Sequence, residues 1–382
     1  MNPVISLAEG RVQPKAVQGG PTGVSLFSGA GGMDVGFRQA GFDILWANDL
    51  DKVAVETYRR NLGGHVVWGD IEDHLPSLSR FAGVDCLFGG PPCQGFSVAG
   101  KMAADDPRSQ LVRSFMRAVE IVRPRAFVME NVKALGTLAK FKPVRDVLRA
   151  SAQRLGYQTE LHILNAKDFG VPQARERVFF VGFLDAESIQ LEHRLRKHHR
   201  PPITTLEALK KIGPQGSAAN PKTCNAVVTI AARPVLRRSP YAGMMFNGLG
   251  RPLNPHAPCA TLPASMGGNK TPIIDEKQFF GDGTSWVETY HAHLMAGGEP
   301  YAVPEAPSHI RRLTLEEARI LHTFPEGYDF AGGRSATYRQ IGNAVPCELA
   351  LAVARATIET LDDVAIEDES DREPTLRFAF GS

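Results

Sequence analysis

The stretch Val24–Ala40, VSLFSGAGGMDVGFRQA, decides the fold. Val24-Ser25-Leu26-Phe27 is a short, mostly apolar run of the kind that forms a strand buried on both faces. Ser28 to Gly32 break it with three glycines in five residues, and Met33–Ala40 follows with helical periodicity. Strand, glycine-rich turn and helix open a doubly wound α/β fold, and the turn lets a nucleotide-like ligand approach the backbone. The position that would hold the third glycine of a dinucleotide fingerprint is Asp34. That argues against a standard dinucleotide site, and so against a NAD-dependent oxidoreductase.

Outward from this turn the alternation continues. Asp43–Ala47, Asp85–Phe88, Ala126–Met129 and Val178–Phe183 read as further strands; Asp51–Leu62, Ser109–Val122 and Pro143–Leu155 read as helices. The pattern predicts a mostly parallel, doubly wound sheet whose ligands sit beyond the carboxyl ends of its strands. Asp49 lies twenty residues past Gly29, just after the second strand, where a carboxylate suits ribose hydroxyls. A ligand with a ribose but no pyrophosphate fits both observations, and S-adenosylmethionine is the candidate. Asp70, in Gly69-Asp70-Ile71 near the next strand end, is placed to accept from an adenine amino group.

The chain has 382 residues, 43% hydrophobic and 22% charged, an ordinary globular composition with room for two domains. No apolar run approaches the roughly 18 residues of a membrane span, and the N-terminus lacks the pattern of a secretory signal. Five scattered cysteines without a CxxC pair argue against a disulfide framework or a zinc site, and for a reducing, cytoplasmic home. No metal is expected. The net charge of +2 conceals a gradient: Gln190 to Ile274 holds twelve Lys/Arg against two acids, a net +10, whereas Glu359 to Pro374 holds eight acids and one arginine. The basic block is a fair footprint for phosphate.

Three strand exits converge on one sheet edge. One ends in Gly89-Gly90-Pro91-Pro92 and presents Cys93-Gln94; another ends in Glu130-Asn131-Val132. A third segment, Asp168 to Arg177, leads into a strand with Arg175 and Arg177 two apart in extended chain and so on one side. Singly, a buried thiol, a terminal carboxylate and paired arginines are commonplace. Together they supply a nucleophile, a proton donor and an anion stabiliser.

These motifs, with FSGAGG, NDLD, GDI, GGPPCQGFS, MENV, QARER, RRLTLEEARILHTFPEGY and YRQIGNAVP in order, resemble those of the bacterial-type DNA (cytosine-5)-methyltransferase family. The resemblance runs from Ser25 to Val345. It implies a Rossmann-like catalytic domain that uses S-adenosylmethionine, with Cys93 as the covalent nucleophile, Glu130 as proton donor to the cytosine ring, Arg177 on its exocyclic oxygen and Arg175 supporting the site. It assigns the cofactor to Phe27, Ser28, Gly29, Ala30, Gly31, Gly32, Asn48, Asp49, Asp70, Ile71, Pro91, Leu111, Asn343 and Val345. The substrate it implies is a cytosine swung out of double-stranded DNA. Gln94, Ser97, Arg233, Arg237, Arg238, Arg251, Thr261 and Leu262 are the candidates for DNA contact, the last two matching the family's Thr-Leu pair.

The expected organisation is a leader (1–22), a catalytic domain (23–186), a smaller irregular target-recognition domain (187–308), a segment completing the catalytic domain (309–361) and an acidic tail (362–382). A monomer without an obligate protein partner is expected, in a restriction-modification system where a cognate endonuclease is a candidate companion. Two rivals share this fold, the tRNA branch with a different sequence around its cysteine. A tRNA cytosine-5 methyltransferase would carry a smaller middle domain, and a non-catalytic DNA-binding regulator would not need Cys93, Glu130 and Arg177.

Overall fold

A computed structural model describes residues 19–92 and 107–371. Among these residues the first eight strands are β1 (Thr22–Leu26), β2 (Asp43–Asp49), β3 (Val66–Trp68), β4 (Cys86–Gly89), β5 (Ala126–Val132), β6 (Tyr157–Asn165), the two-residue β7 (Gln173–Ala174) and β8 (Glu176–Leu184). Five short strands between Ile230 and Arg312 form small two-stranded pairings, one of them with β7. Of the first eight, all but β7 form one sheet in the order β3-β2-β1-β4-β5-β8-β6. The first five pair in parallel, and β8 runs antiparallel to both β5 and β6. The mostly parallel, doubly wound sheet is therefore present, with one reversed strand.

Register brings the exits together. Leu26 pairs with Gly89, and Gly89 with Met129. Phe27, Gly90 and Glu130, each the next residue, thus emerge side by side. β5 continues past Met129 to Val132, because its neighbour β8 pairs with it as far as Arg177. Glu130 is consequently held within a strand instead of a loop. β6 escaped the sequence reading because it is an edge strand, YQTELHILN, with only Tyr157 fully buried and no clean alternation.

Two apolar layers cover the sheet. The helices Pro107–Val122 and Lys142–Arg154 pack on one face. On the other lie Gly32–Ala40 and the long final helix, Cys347–Asp371, in contact across Gly36, where a Cβ would sit 2.4 Å from the Leu351 nitrogen. The final helix runs ten residues beyond the expected Leu361, into the acidic stretch. The most apolar helical stretch, Arg334–Val364, reaches a mean hydropathy of 1.2 over its best window, but 72% of that window is buried inside the fold, as in a core helix.

The basic segment is not one separate body. Ile189, Leu191 and Leu195 belong to the catalytic core beneath the final helix. Leu209, Leu253, Leu262 and Met266 pack with Tyr58, Leu313 and Tyr338. Only a small cluster around Ile230, Phe246, Val287 and Tyr290 is the segment's own. Its helix Trp286–Met295, capped by Ser285 on the Glu288 N–H, went unread because polar aromatic residues blur its apolar stripe.

Candidate active site

The exits of β1, β2, β4 and β5, with residues 261–264 and 339–345, enclose a cleft of about 780 Å³, within the range of small-molecule sites. Its floor begins at Phe27, whose φ of 54° is left-handed for a residue with a side chain. Such a conformation costs about 1–2 kcal/mol, and it turns the chain sharply out of β1. Gly29 follows at φ 55°, with open space where a Cβ would be. The loop is fixed from β2: the Ser28 N–H donates to the Asn48 carbonyl at 2.9 Å and the Gly29 N–H to Asp49 Oδ2 at 2.7 Å. Asp49 Oδ1 accepts from the Asp51 N–H at 2.7 Å. Burial pushes the Asp49 carboxyl up from the usual range, opposed by those backbone donors. Each of its oxygens keeps a second lone pair for a hydroxyl.

Gly32 has its own reason. A Cβ there would lie 2.6 Å from the Val345 carbonyl oxygen, so the loop Asn343–Val345 closes directly on the glycine turn. Behind it Asp34 is wholly buried, accepts from the Tyr58 hydroxyl at 2.9 Å, and has its pKa pushed up to about 7 by burial.

Gly89 and Gly90 answer to different neighbours. A Cβ on Gly89 would sit 2.0 Å from the Leu26 carbonyl oxygen; one on Gly90 would sit 2.9 Å from Glu130 Oε2. The second glycine thus leaves room for a carboxyl beside the turn that leads to Cys93. Glu130 Oε1 receives the Arg177 Nε at 2.9 Å, with both side chains largely buried. Burial raises the Glu130 pKa, while Arg177 and Arg175 pull it down. A carboxyl so placed is suited to holding and delivering a proton. Asn131 fastens the same strand to the turn by donating to the Pro91 carbonyl at 3.1 Å.

Arg175 is 1% exposed and spans three carbonyls: Leu262 at 3.1 Å, Gly342 at 2.8 Å and Ala344 at 3.1 Å. It joins the cleft's walls and is a positioning group. Among the expected cofactor residues, Phe27, Ser28, Gly29, Ala30, Gly32, Asp49, Pro91, Asn343 and Val345 line the cleft; Gly31, Asn48, Asp70, Ile71 and Leu111 stand outside it. Asn48 uses its amide on the Val67 and Gly69 carbonyls, and Asp70 caps the short helix Ile71–His74. Asn131 and Arg339, which pairs with Asp51 at the cleft wall, were missed as site residues by sequence reading. Asn131 alone carried a signal, lying next to Glu130 in the motif.

Cys93, Gln94 and Ser97 lie outside the described residues. Arg233, Arg237, Arg238, Arg251 and Thr261 are exposed. Leu262 is not available to DNA as expected: its side chain is fully buried, and its N–H and carbonyl are taken by Gln173 and Arg175. Among the described residues no cluster of ligating side chains is arranged for a metal.

A family model for C-5 cytosine-specific DNA methylases matches residues 22–359. The type II methyltransferase M.NgoFVII of Neisseria gonorrhoeae is 31% identical over 362 residues, spanning 90% of this chain and 88% of its own. M1.HphI of Haemophilus parahaemolyticus is 32% identical over 350 residues, covering 88% and 87%. The structure of the S. pombe Dnmt2 methyltransferase is alike in fold, with a TM-score of 0.66 at 19% identity over 90% of this chain and 99% of that one. With the matched span running from the first residue of β1 into the final helix, the chain belongs to the C-5 cytosine-specific DNA methylase family and is a DNA (cytosine-5) methyltransferase.

Proposed function

We propose that the protein methylates carbon 5 of a cytosine flipped out of a specific duplex sequence, through a covalent adduct with Cys93. The observation that carries this reading is the Glu130–Arg177 pair at 2.9 Å, set beside the glycine-proline turn that runs directly into Cys93. S-adenosylmethionine supplies an electrophilic methyl group. Phe27, the open backbone of Gly29 and Asp49 would hold it, with Asn343 and Val345 closing over it.

The chain's own groups then divide the work. The Cys93 thiolate adds to ring carbon 6 and makes carbon 5 nucleophilic, which an unmodified cytosine is not. Glu130 delivers a proton to ring nitrogen 3 as the adduct forms, and Arg177 holds both Glu130 and the exocyclic oxygen. After methyl transfer, water takes the carbon 5 proton, the freed electron pair expels Cys93 as a thiolate, and nitrogen 3 returns its proton to Glu130, which restores the ring. Extruding the base costs a few kcal/mol, offset by phosphate contacts from the exposed arginines of the 187–308 segment. The relatives named type II methyltransferases support a place in a restriction-modification system.

Duplex DNA carrying 5-fluorocytosine tests the adduct. The fluorine cannot leave as a proton does, so a denaturation-stable protein–DNA complex is expected with wild type and none with Cys93→Ala. Near-wild-type turnover by Cys93→Ala would remove the mechanism. Parallel methylation assays on duplex DNA and tRNA separate the DNA reading from the tRNA one.

A further inference from the structure

Gln173 and His322 form a buried polar junction behind the cleft, and its protonation state can be read from its partners. The Leu262 N–H donates at 3.0 Å to one end of the Gln173 side chain, which identifies that end as Oε1. The other end is therefore the amide nitrogen, which donates to the Leu321 carbonyl at 3.2 Å and to His322 Nδ1 at 3.1 Å. Nδ1 must then lack a proton. His322 Nε2 lies 2.8 Å from the Ala344 carbonyl, which can only accept, so Nε2 carries the proton. Only the neutral imidazole with its proton on Nε2 satisfies every group.

We infer that His322 is a positioning residue that fixes the cofactor-closing loop Asn343–Val345 to the Thr261-Leu262 loop of the recognition segment through Gln173. The inference rests on the cofactor reading of the cleft. Ala344 takes its two hydrogen bonds from His322 and Arg175, and Val345 beside it abuts Gly32. A lost imidazole leaves the fully buried Gln173 amide and the half-buried Ala344 carbonyl each short of a partner. A protonated one turns a donor toward a donor at Gln173. The Phe324 ring stacks on the imidazole at 6.1 Å; burial first, then the positive charge of Arg175 and, more weakly, that of Arg177 hold it well below its ordinary pKa, against the pull of the Ala344 carbonyl.

Calorimetric titration with S-adenosylmethionine tests the role, and wild type comes first: failure of the wild-type chain to bind would defeat the cofactor reading itself, whatever His322 does. Given wild-type binding, His322→Ala is expected to weaken cofactor affinity about tenfold, the scale of one buried hydrogen bond. KM for the cofactor should rise more than kcat falls. His322→Gln, which supplies a neutral acceptor and a neutral donor, should restore affinity. It should also alter the pH profile. A histidine whose folded pKa is depressed contributes stability above about pH 6.5 and loses it as pH falls toward the folded value. The wild-type unfolding equilibrium should therefore shift toward the unfolded chain, relative to His322→Gln, by up to about tenfold per pH unit below that point. An Ala variant that melts early yet binds cofactor like wild type, or a Gln variant that fails to restore binding, overturns the inference.

Discussion

The cleft and the basic segment differ in how they hold charge. In the cleft, Arg175, Glu130 and Arg177 are largely buried, and each has a named partner within 3.1 Å. In the segment, Arg233, Arg237, Arg238 and Arg251 stand exposed. The first arrangement fixes geometry, and the second leaves charge free to meet phosphate. A third group corrects the simple sum. Arg194 pairs with Asp363, Lys197 and His198 with Glu359, and Arg200 with Glu348, all on the final helix. The basic block and the acidic helix thus partly neutralise each other, and the DNA footprint is smaller than +10.

The largest effect that sharpens this contrast is at the buried pair. Glu130→Gln should lower kcat by about 10²–10⁴-fold, the usual worth of a positioned acid, with the melting temperature nearly kept because Gln can still accept from Arg177. Single-turnover methylation is the measurement, and a loss of less than tenfold would displace Glu130 from proton delivery. Next is Asp49→Ala, which should weaken cofactor binding by about 1.5–3 kcal/mol. It also frees the Gly29 and Asp51 N–H groups, so cofactor affinity should respond before stability does. Unchanged affinity in calorimetry would move the ribose contact elsewhere.

Smaller effects distinguish the two kinds of arginine. Arg237→Ala should reduce the slope of log K against log salt by about one for duplex DNA. Arg194→Ala should leave that slope unchanged, because its guanidinium is committed to Asp363 and the Ile189 carbonyl. Filter-binding isotherms across a salt series compare the two directly, and equal slopes for both variants would erase the distinction drawn here.

Much of the cleft was legible because its chemistry is local. A strand followed by Gly29, Gly31 and Gly32, or by Gly89 and Gly90, announces a backbone under tight constraint, and the structure supplies the neighbour for each. Glu130 and Arg177 were legible as types, but their pairing needed the antiparallel register of β5 with β8, which periodicity does not encode. Leu262 was misjudged, and the means by which Arg175 supports the site stayed hidden, for one reason: their partners lie 87 residues away or more. The same distance hid the ion pairs of the final helix, and His322, whose partners lie 149 and 22 residues away. The recognition segment was least legible, since its core is shared among three clusters and its helices are short.

The packing of Val345 on Gly32, and of the final helix across Gly36, has a consequence for synthesis. The cofactor cleft unites two stretches separated by roughly 300 residues of chain. A ribosome adding about 5–20 residues per second needs about 15–60 s to travel that distance. During that interval β1 and its glycine turn exist without the loop that closes on them, and the face of Gly32–Ala40 that will meet the final helix is uncovered. The nascent chain therefore has no complete cleft until the loop Asn343–Val345 emerges and folds back onto Gly32.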